Sequence, residues 1–495
     1  MKEEPCWMDP RRGVDMIASQ LHFMAFEGLY RLQPDLTLSP GAALSHDISD
    51  DRMTYTFHLR DSSWSNGEKL TAYDFEKTWK TLLDPSFPCR DAYLIYMIRN
   101  AKLAKEGEVS LDKVGIHALD EKTFSVELER PFPSFLQITA LSFLAPVNEM
   151  EDETFIGNGP FILQRWDHNH EMIFSKNPHY WRYDEIDLDE IQVHMISNEM
   201  SALHAYEKGD FDFLGAPLSP FPVATAHSLV QQRKLNSTQI AGTKIISFNH
   251  SKFPLNNAHI RKALSLSIDR KSIVDNITGL GQTIGTRAIP PVLDPKREIS
   301  FISDASPEEA TRELEMGLHE LGLDSLPQLT LIYWGSTLNN LIVQQITEKW
   351  RKDLGVDVVL EKADFKMLLS STQEGSYEIS LLAYLAEFPD SINIFERYSD
   401  KENSRNYSKW ENKEYALLFK ASQMASANEI QGYKDQMEQI LMDEAPFAPI
   451  YHYQYSFMIK PHVKNFAISP LGHILFDQIK LEEMEHSLGE ISSLQ

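Results

Sequence analysis

Apolar and polar positions alternate along this chain with two different periods, and the period switches repeatedly. Tyr55, Phe57 and Leu59 are separated by Thr56 and His58, the period-two pattern of a half-buried strand. A Trp64-Ser-Asn-Gly67 turn follows, its glycine suited to positive φ. Thr71, three residues ahead of Asp74, predicts the N-cap of a helix that runs to about Leu83 and is stopped by Asp84-Pro85. Further along, residues 329–333 read as a strand. Ile342, Ile346, Trp350 and Leu354 then recur at i+4 and predict one apolar face of a long helix ended by Gly355. Val356, Val358 and Leu360 alternate as the next strand, so the unit implies a parallel pair with a right-handed crossover. Phe365 opens a short helix, and residues 378–385 form an apolar run of the length a sheet interior needs. Residues 412–445 read as helical. Leu417, Leu418 and Met424 are expected to face inward in one stretch, and Met437, Ile440 and Leu441 in the next. Pro446 and Pro449 then predict a turn into a strand over 450–453.

Strands and helices that alternate without internal repeat point to α/β lobes. The 495 residues exceed one ordinary core and predict two or three of them. Net charge is −25, which repels phosphate backbones and excludes nucleic acid as the expected partner. No apolar run reaches the ~18 residues of a membrane span, and residues 1–6 show no basic segment leading into an apolar core. The two cysteines, Cys6 and Cys89, have neither metal-ligand nor redox spacing; whether they pair is left open by the sequence. His168-Asn-His170 is the one short histidine pair, and two histidines in a turn are more often solvated than metal-bound. No metal and no cofactor are expected. No nucleophile elbow, zinc-protease helix or phosphate loop occurs, so an enzyme reading rests only on a glycosidase-like pair among the 72 acidic residues; a hydrolase using paired carboxylates stays as the distant alternative.

A series of short segments, in order, carries a family resemblance. They include Phe26-Glu-Gly-Leu-Tyr30, Tyr55-Thr-Phe-His-Leu-Arg60, Trp64-Ser-Asn-Gly67, Leu70-Thr-Ala-Tyr-Asp-Phe75 and Gly157-Asn-Gly-Pro160. Asn177-Pro-His-Tyr-Trp181, Gly209-Asp-Phe-Asp212, Ile260-Arg-Lys-Ala-Leu264, Ile268-Asp-Arg270 and Pro449-Ile-Tyr451 extend it towards the end of the chain. Together they resemble the oligopeptide-binding protein family, the solute receptors of peptide and nickel ABC importers. The resemblance implies an α/β, two-lobed periplasmic-binding-protein fold, class II-like and of the type C cluster, with an extra small domain. Lobe I would comprise residues 1–40, 155–242 and 455–495, the extra domain 41–154, and lobe II 243–454. It implies an oligopeptide ligand, ABC permease subunits in the inner membrane as partners, a monomer, and a periplasmic or cell-envelope location. A signal or lipoprotein segment and a first strand would precede the Met8-Asp-Pro10 match. Neither is visible, and a missing start is the expectation.

The family's ligand site sets the remaining expectations. A receptor for many peptides must grip what all peptides share: amine, backbone amides and terminal carboxylate. The resemblance places the amine-anchoring carboxylate in Tyr384-Leu-Ala-Glu-Phe-Pro-Asp390, at Glu387, with Asp390 as the second acid; the alternative for Glu387 is a solvated loop acid. Tyr384 falls on the family's tryptophan, and the backbones of Ala383 and Leu385 would pair with the ligand. Phe365 and Tyr453 match pocket aromatics but serve equally as core residues, and Met16 matches a cleft-lining position of lobe I. The positions matching the family's cations for the ligand carboxylate are Asn339, Thr372 and Leu381. None is charged, which admits cell-wall peptides, dipeptides, nickel or haem as alternative cargo.

Overall fold

The computed structural model describes residues 1–2, 4–5, 7–12, 16–148, 156–426 and 428–482, with the backbone alone at Met16. Two 13-residue strands, Asn236–Phe248 and Phe447–Ile459, form the axis of the molecule. They pair antiparallel within a mixed seven-stranded sheet of order Phe213–Gly215, Phe447–Ile459, Asn236–Phe248, Ile379–Leu385, Leu329–Trp334 and Val358–Ala363, with Thr283–Ile284 added against Phe447–Ile459. The last three strands of that order are mutually parallel, as the strand-helix-strand reading requires.

The two long strands pass from one hydrophobic core into another. Ile246, Phe248, Ala448 and Ile450 lie in the core of one lobe, beneath the helices Ala258–Leu266 and Thr337–Leu354. Ile240 and Phe457 lie in the core of the other, with the three-stranded sheet of Phe161–Asp167, Glu171–Lys176 and Glu190–His194. Between the cores the ladder is irregular. Gln239 pairs with Gln454 and Thr243 with His452, so Ile240, Ala241 and Gly242 stand opposite Tyr453 alone. A separate four-stranded sheet, Ala43–Ile48, Thr54–Leu59, Thr123–Glu127 and Ile116–Ala118, makes a small third unit covered by the helix Ala72–Leu83. Thr71 caps that helix through a reciprocal pair of contacts with Asp74.

Lobe closure in sequence space is long-range. The first helix, Met16–Ala25, is tied to the last described segment: Gln20 Nε2 donates to the Gly472 carbonyl at 3.0 Å and Gln20 Oε1 accepts from the Ile474 N–H at 2.9 Å. Arg31 and Arg182 both meet Asp477.

Two expectations are corrected. Leu417 and Met424 point outward, 69% and 72% exposed; Tyr415, Phe419 and Ser422 form the buried face of the helix Lys413–Ser422 instead. Pro446 and Pro449 do not bracket a turn: the strand Phe447–Ile459 runs straight through Pro449. The proline is tolerated because the ladder shifts register between Lys244 and Ile245, opposite Tyr451 and Pro449. Cys6 lies outside the described residues. Cys89 is buried and free, and burial pushes its thiol up to about 12.

Candidate ligand-binding site

The strand Ile379–Leu385 is paired along its whole length on one side and along less than half on the other. Asn236–Phe248 accompanies it from Ile379 to Leu385. Leu329–Trp334 accompanies only Ile379, Ser380 and Leu381, because that chain turns away after Trp334 into the helix Thr337–Leu354. The alternation of an antiparallel ladder decides which peptide groups face the gap. Ala386 donates its N–H to Ala241, and Asn249 donates to Glu378, both towards the long strand. The intervening parity turns the backbones of Ala383 and Leu385 to the open side, where an added strand would pair with them. The Leu385 carbonyl there accepts from Arg397 at 2.5 Å. Ala383 is exposed and Tyr384 buried, as alternation across a sheet demands.

Just past this edge lies a group of buried charges. Glu387 Oε2 accepts from Arg397 at 2.7 Å, and Oε1 has Arg405 at 3.7 Å. Arg405 also pairs with Asp91 of the small unit at 2.8 Å. Burial raises the Glu387 pKa, but the two guanidinium groups outweigh it and hold the carboxyl below its ordinary value. Arg397 Nε, Arg405 Nε and the Tyr93 hydroxyl are buried without a hydrogen-bond partner among the described residues. Glu387 is therefore not a solvated loop acid. Asp390 is engaged on both oxygens, by Lys434 at 2.8 Å and the Ser134 hydroxyl at 2.8 Å. The Tyr384 ring is enclosed, its hydroxyl donating to the Ala288 carbonyl and Arg397 lying over its face.

The remaining expected residues are scattered around this edge. Phe365 stands at the start of its helix, 57% exposed, edge-on to Trp334 at 5.9 Å. Trp334, 41% exposed, ends the strand whose departure opens the gap. Trp334 is not among the residues the family resemblance marks, although its place directly before Gly335-Ser336 at a strand's carboxyl end is where open α/β sheets take ligands. Tyr453 packs against both lobe cores and stacks edge-on with Tyr451 at 5.5 Å. Met16 opens the first helix; its side chain lies outside the described residues. Asn339 donates to the Trp334 carbonyl, Thr372 to the Leu369 carbonyl, and Leu381 is core, so none of the three offers a donor to a ligand carboxylate.

Far from this edge, Asp167, His170 and Glu171 bring three ligand atoms within 4.8 Å of one another. Arg165 already lies against both carboxylates. Among the described residues no helix is long and apolar enough to cross a membrane.

Comparison with known proteins agrees with this architecture. Residues 37–406 match the family model of bacterial extracellular solute-binding proteins, family 5. The oligopeptide-binding protein OppA of Bacillus subtilis is 34% identical over 96% of this chain and 91% of its own length. The murein tripeptide-binding protein MppA of Escherichia coli superposes at a TM-score of 0.85, with 26% identity over 97% of each chain. The same MppA in its unliganded open form covers 97% of this chain and 96% of its own at 26% identity, but superposes at 0.73.

Proposed function

The chain belongs to the bacterial extracellular solute-binding proteins, family 5, and from that premise we propose that it captures oligopeptides in the cleft between its lobes and delivers them to an ABC importer. It works outside the cytoplasmic membrane, in the periplasm or cell envelope, as a monomer that meets the permease subunits and catalyses no reaction. The observation that carries this reading is the half-paired strand Ile379–Leu385. Its open edge at Ala383 and Leu385 gives a peptide backbone the same partners that Leu329–Trp334 gives to residues 379–381. Main-chain pairing reads no sequence, which suits a receptor for many peptides.

The ligand's amine docks against Glu387, which sits two residues beyond that edge. Arg397 holds one carboxylate oxygen, and the other is more than hydrogen-bond distance from Arg405, so it retains room for an ammonium donor. Trp334, Phe365 and Tyr453 supply apolar walls to the side-chain pockets. The hinge lies at the ladder irregularity around Ile240–Gly242 and Tyr453, which divides residues 155–242 and 455–495 from 243–454. Residues 41–154 form the extra domain.

Thermal denaturation of the purified chain with a mixed tri- to pentapeptide library tests the reading. Saturation at about 100 Kd stabilises by roughly 2.7 kcal/mol. A rise with peptides, and none with haem, nickel or sugars, supports it. A folded sample that no peptide stabilises overturns it.

A further inference from the structure

Among the described residues Lys244 has no acidic partner. It lies in the middle of the long strand Asn236–Phe248, between Thr243 and Ile245, and is 8% exposed. No hydrogen bond or ion pair reaches its ammonium group among the described residues, whereas the buried or half-buried cations Arg397, Arg405, Lys434 and Arg287 pair with Glu387, Asp91, Asp390 and Glu438. Burial alone pulls its pKa down to about 8. A buried ammonium left without a counter-ion is costly, and such groups are ordinarily paired.

Its position says what the counter-ion is. Lys244 is directly opposite Ala383 on one side and Tyr451 on the other, so the three share one face of the sheet. Ala383 is the exposed residue at the open edge, and its methyl group is too small to block a lysine stem lying across it. The four-carbon stem can therefore carry the ammonium towards the gap where a ligand strand would lie. The same face holds the Tyr451–Tyr453 pair between the two lobe cores.

We infer that Lys244 receives the C-terminal carboxylate of the bound peptide, the charge that Asn339, Thr372 and Leu381 leave unmet. This rests on the peptide reading above. It also sets a length. Glu387 and Ala383 are four residues apart on the chain, about 13 Å at ~3.3 Å per residue. An extended peptide of about four residues, its amine at Glu387 and its carboxylate beside Lys244, spans that interval.

Calorimetric titration of one tetrapeptide as its free acid and as its C-terminal amide, into the unmodified chain and into Lys244→Met and Lys244→Arg, tests this. The unmodified chain should prefer the acid by about tenfold or more, as a desolvated charge pair warrants. Lys244→Met should abolish that preference, so that acid and amide bind alike, and Lys244→Arg should restore most of it. An equal preference for the acid in the unmodified chain and Lys244→Met overturns the role of Lys244 and leaves the peptide reading standing. Failure of the unmodified chain to bind either form overturns the peptide reading and this inference with it.

Discussion

At the scale of single residues, the site is decided by which charges are already spoken for. If Glu387 anchors an amine, Glu387→Gln should weaken a free-amine peptide far more than its N-acetylated form, in parallel titrations. An equal loss for both would show that the carboxylate serves only Arg397 and Arg405. Glu396 makes a pH test. Burial pushes its carboxyl up to about 7, and Arg130 only partly offsets this. A carboxyl raised in the folded state holds its proton between pH ~4.3 and 7 while the unfolded chain has lost it, so stability falls across that window and stays lower above it. Glu396→Gln should thus raise the melting temperature at pH 8 and leave it unchanged near pH 4. Equal shifts at both would contradict the assignment. The sequence marked Glu387 through its neighbours in Tyr384–Asp390. It gave no sign of Arg397, Arg405 or Asp91 as partners, because the first two lie 10 and 18 positions along the chain and the third on the small unit, and only the fold brings them together. Lys244 escaped for a similar reason: its isolation depends on strands more than a hundred residues away.

At the scale of elements, periodicity was a good guide where one face meets one core. The strand Thr54–Leu59, the helix Thr337–Leu354 with Gly355 at φ 67°, and the parallel pair around it follow the expected pattern. The pattern misled in the helix Lys413–Ser422, where Leu417 and Leu418 are adjacent and only one can face inward. Tyr415 and Phe419, an i+4 pair, take the buried stripe and turn Leu417 to solvent. Leu417→Lys should therefore change stability by less than about 0.5 kcal/mol, and Phe419→Ala should cost about 3–5 kcal/mol, in chemical denaturation. The reverse ranking would restore the sequence-based face. Pro449 predicts a turn from the sequence because a ladder shift is invisible in one strand's sequence; it is a property of the pair.

At the scale of the whole molecule, the small unit is bolted to the lobe that carries the half-paired strand. Asp91 meets Arg405, Ser134 meets Asp390, Arg90 reaches Tyr407 at 3.2 Å, and Phe132 packs edge-on against Phe388. Their hydrophobic cores are continuous, running from Phe57 and Phe124 to Tyr384 and Phe447. The better superposition on one MppA structure than on its unliganded open form places the lobes here nearer to the first arrangement. In solution, peptide addition should lower the radius of gyration measured by small-angle scattering. A stabilising peptide that leaves it unchanged would mean that the lobes do not close on their ligand. The lobed plan itself was legible from ordered motifs along the chain, while the ladder irregularity between the cores was not, since it resides in how two distant strands fail to match.

The bond from Gln20 to Gly472 has a consequence for biosynthesis. The two groups are separated by 452 positions. At ~5–20 residues per second the first helix waits roughly 20–90 s for its partner to leave the ribosome. The lobe that joins Gln20 to Gly472 cannot be completed until residue 472 has been made, however early its first segments appear. For the receptor proposed above to act outside the membrane, that delay leaves the nascent polypeptide slack enough to be threaded through an export channel before it can lock.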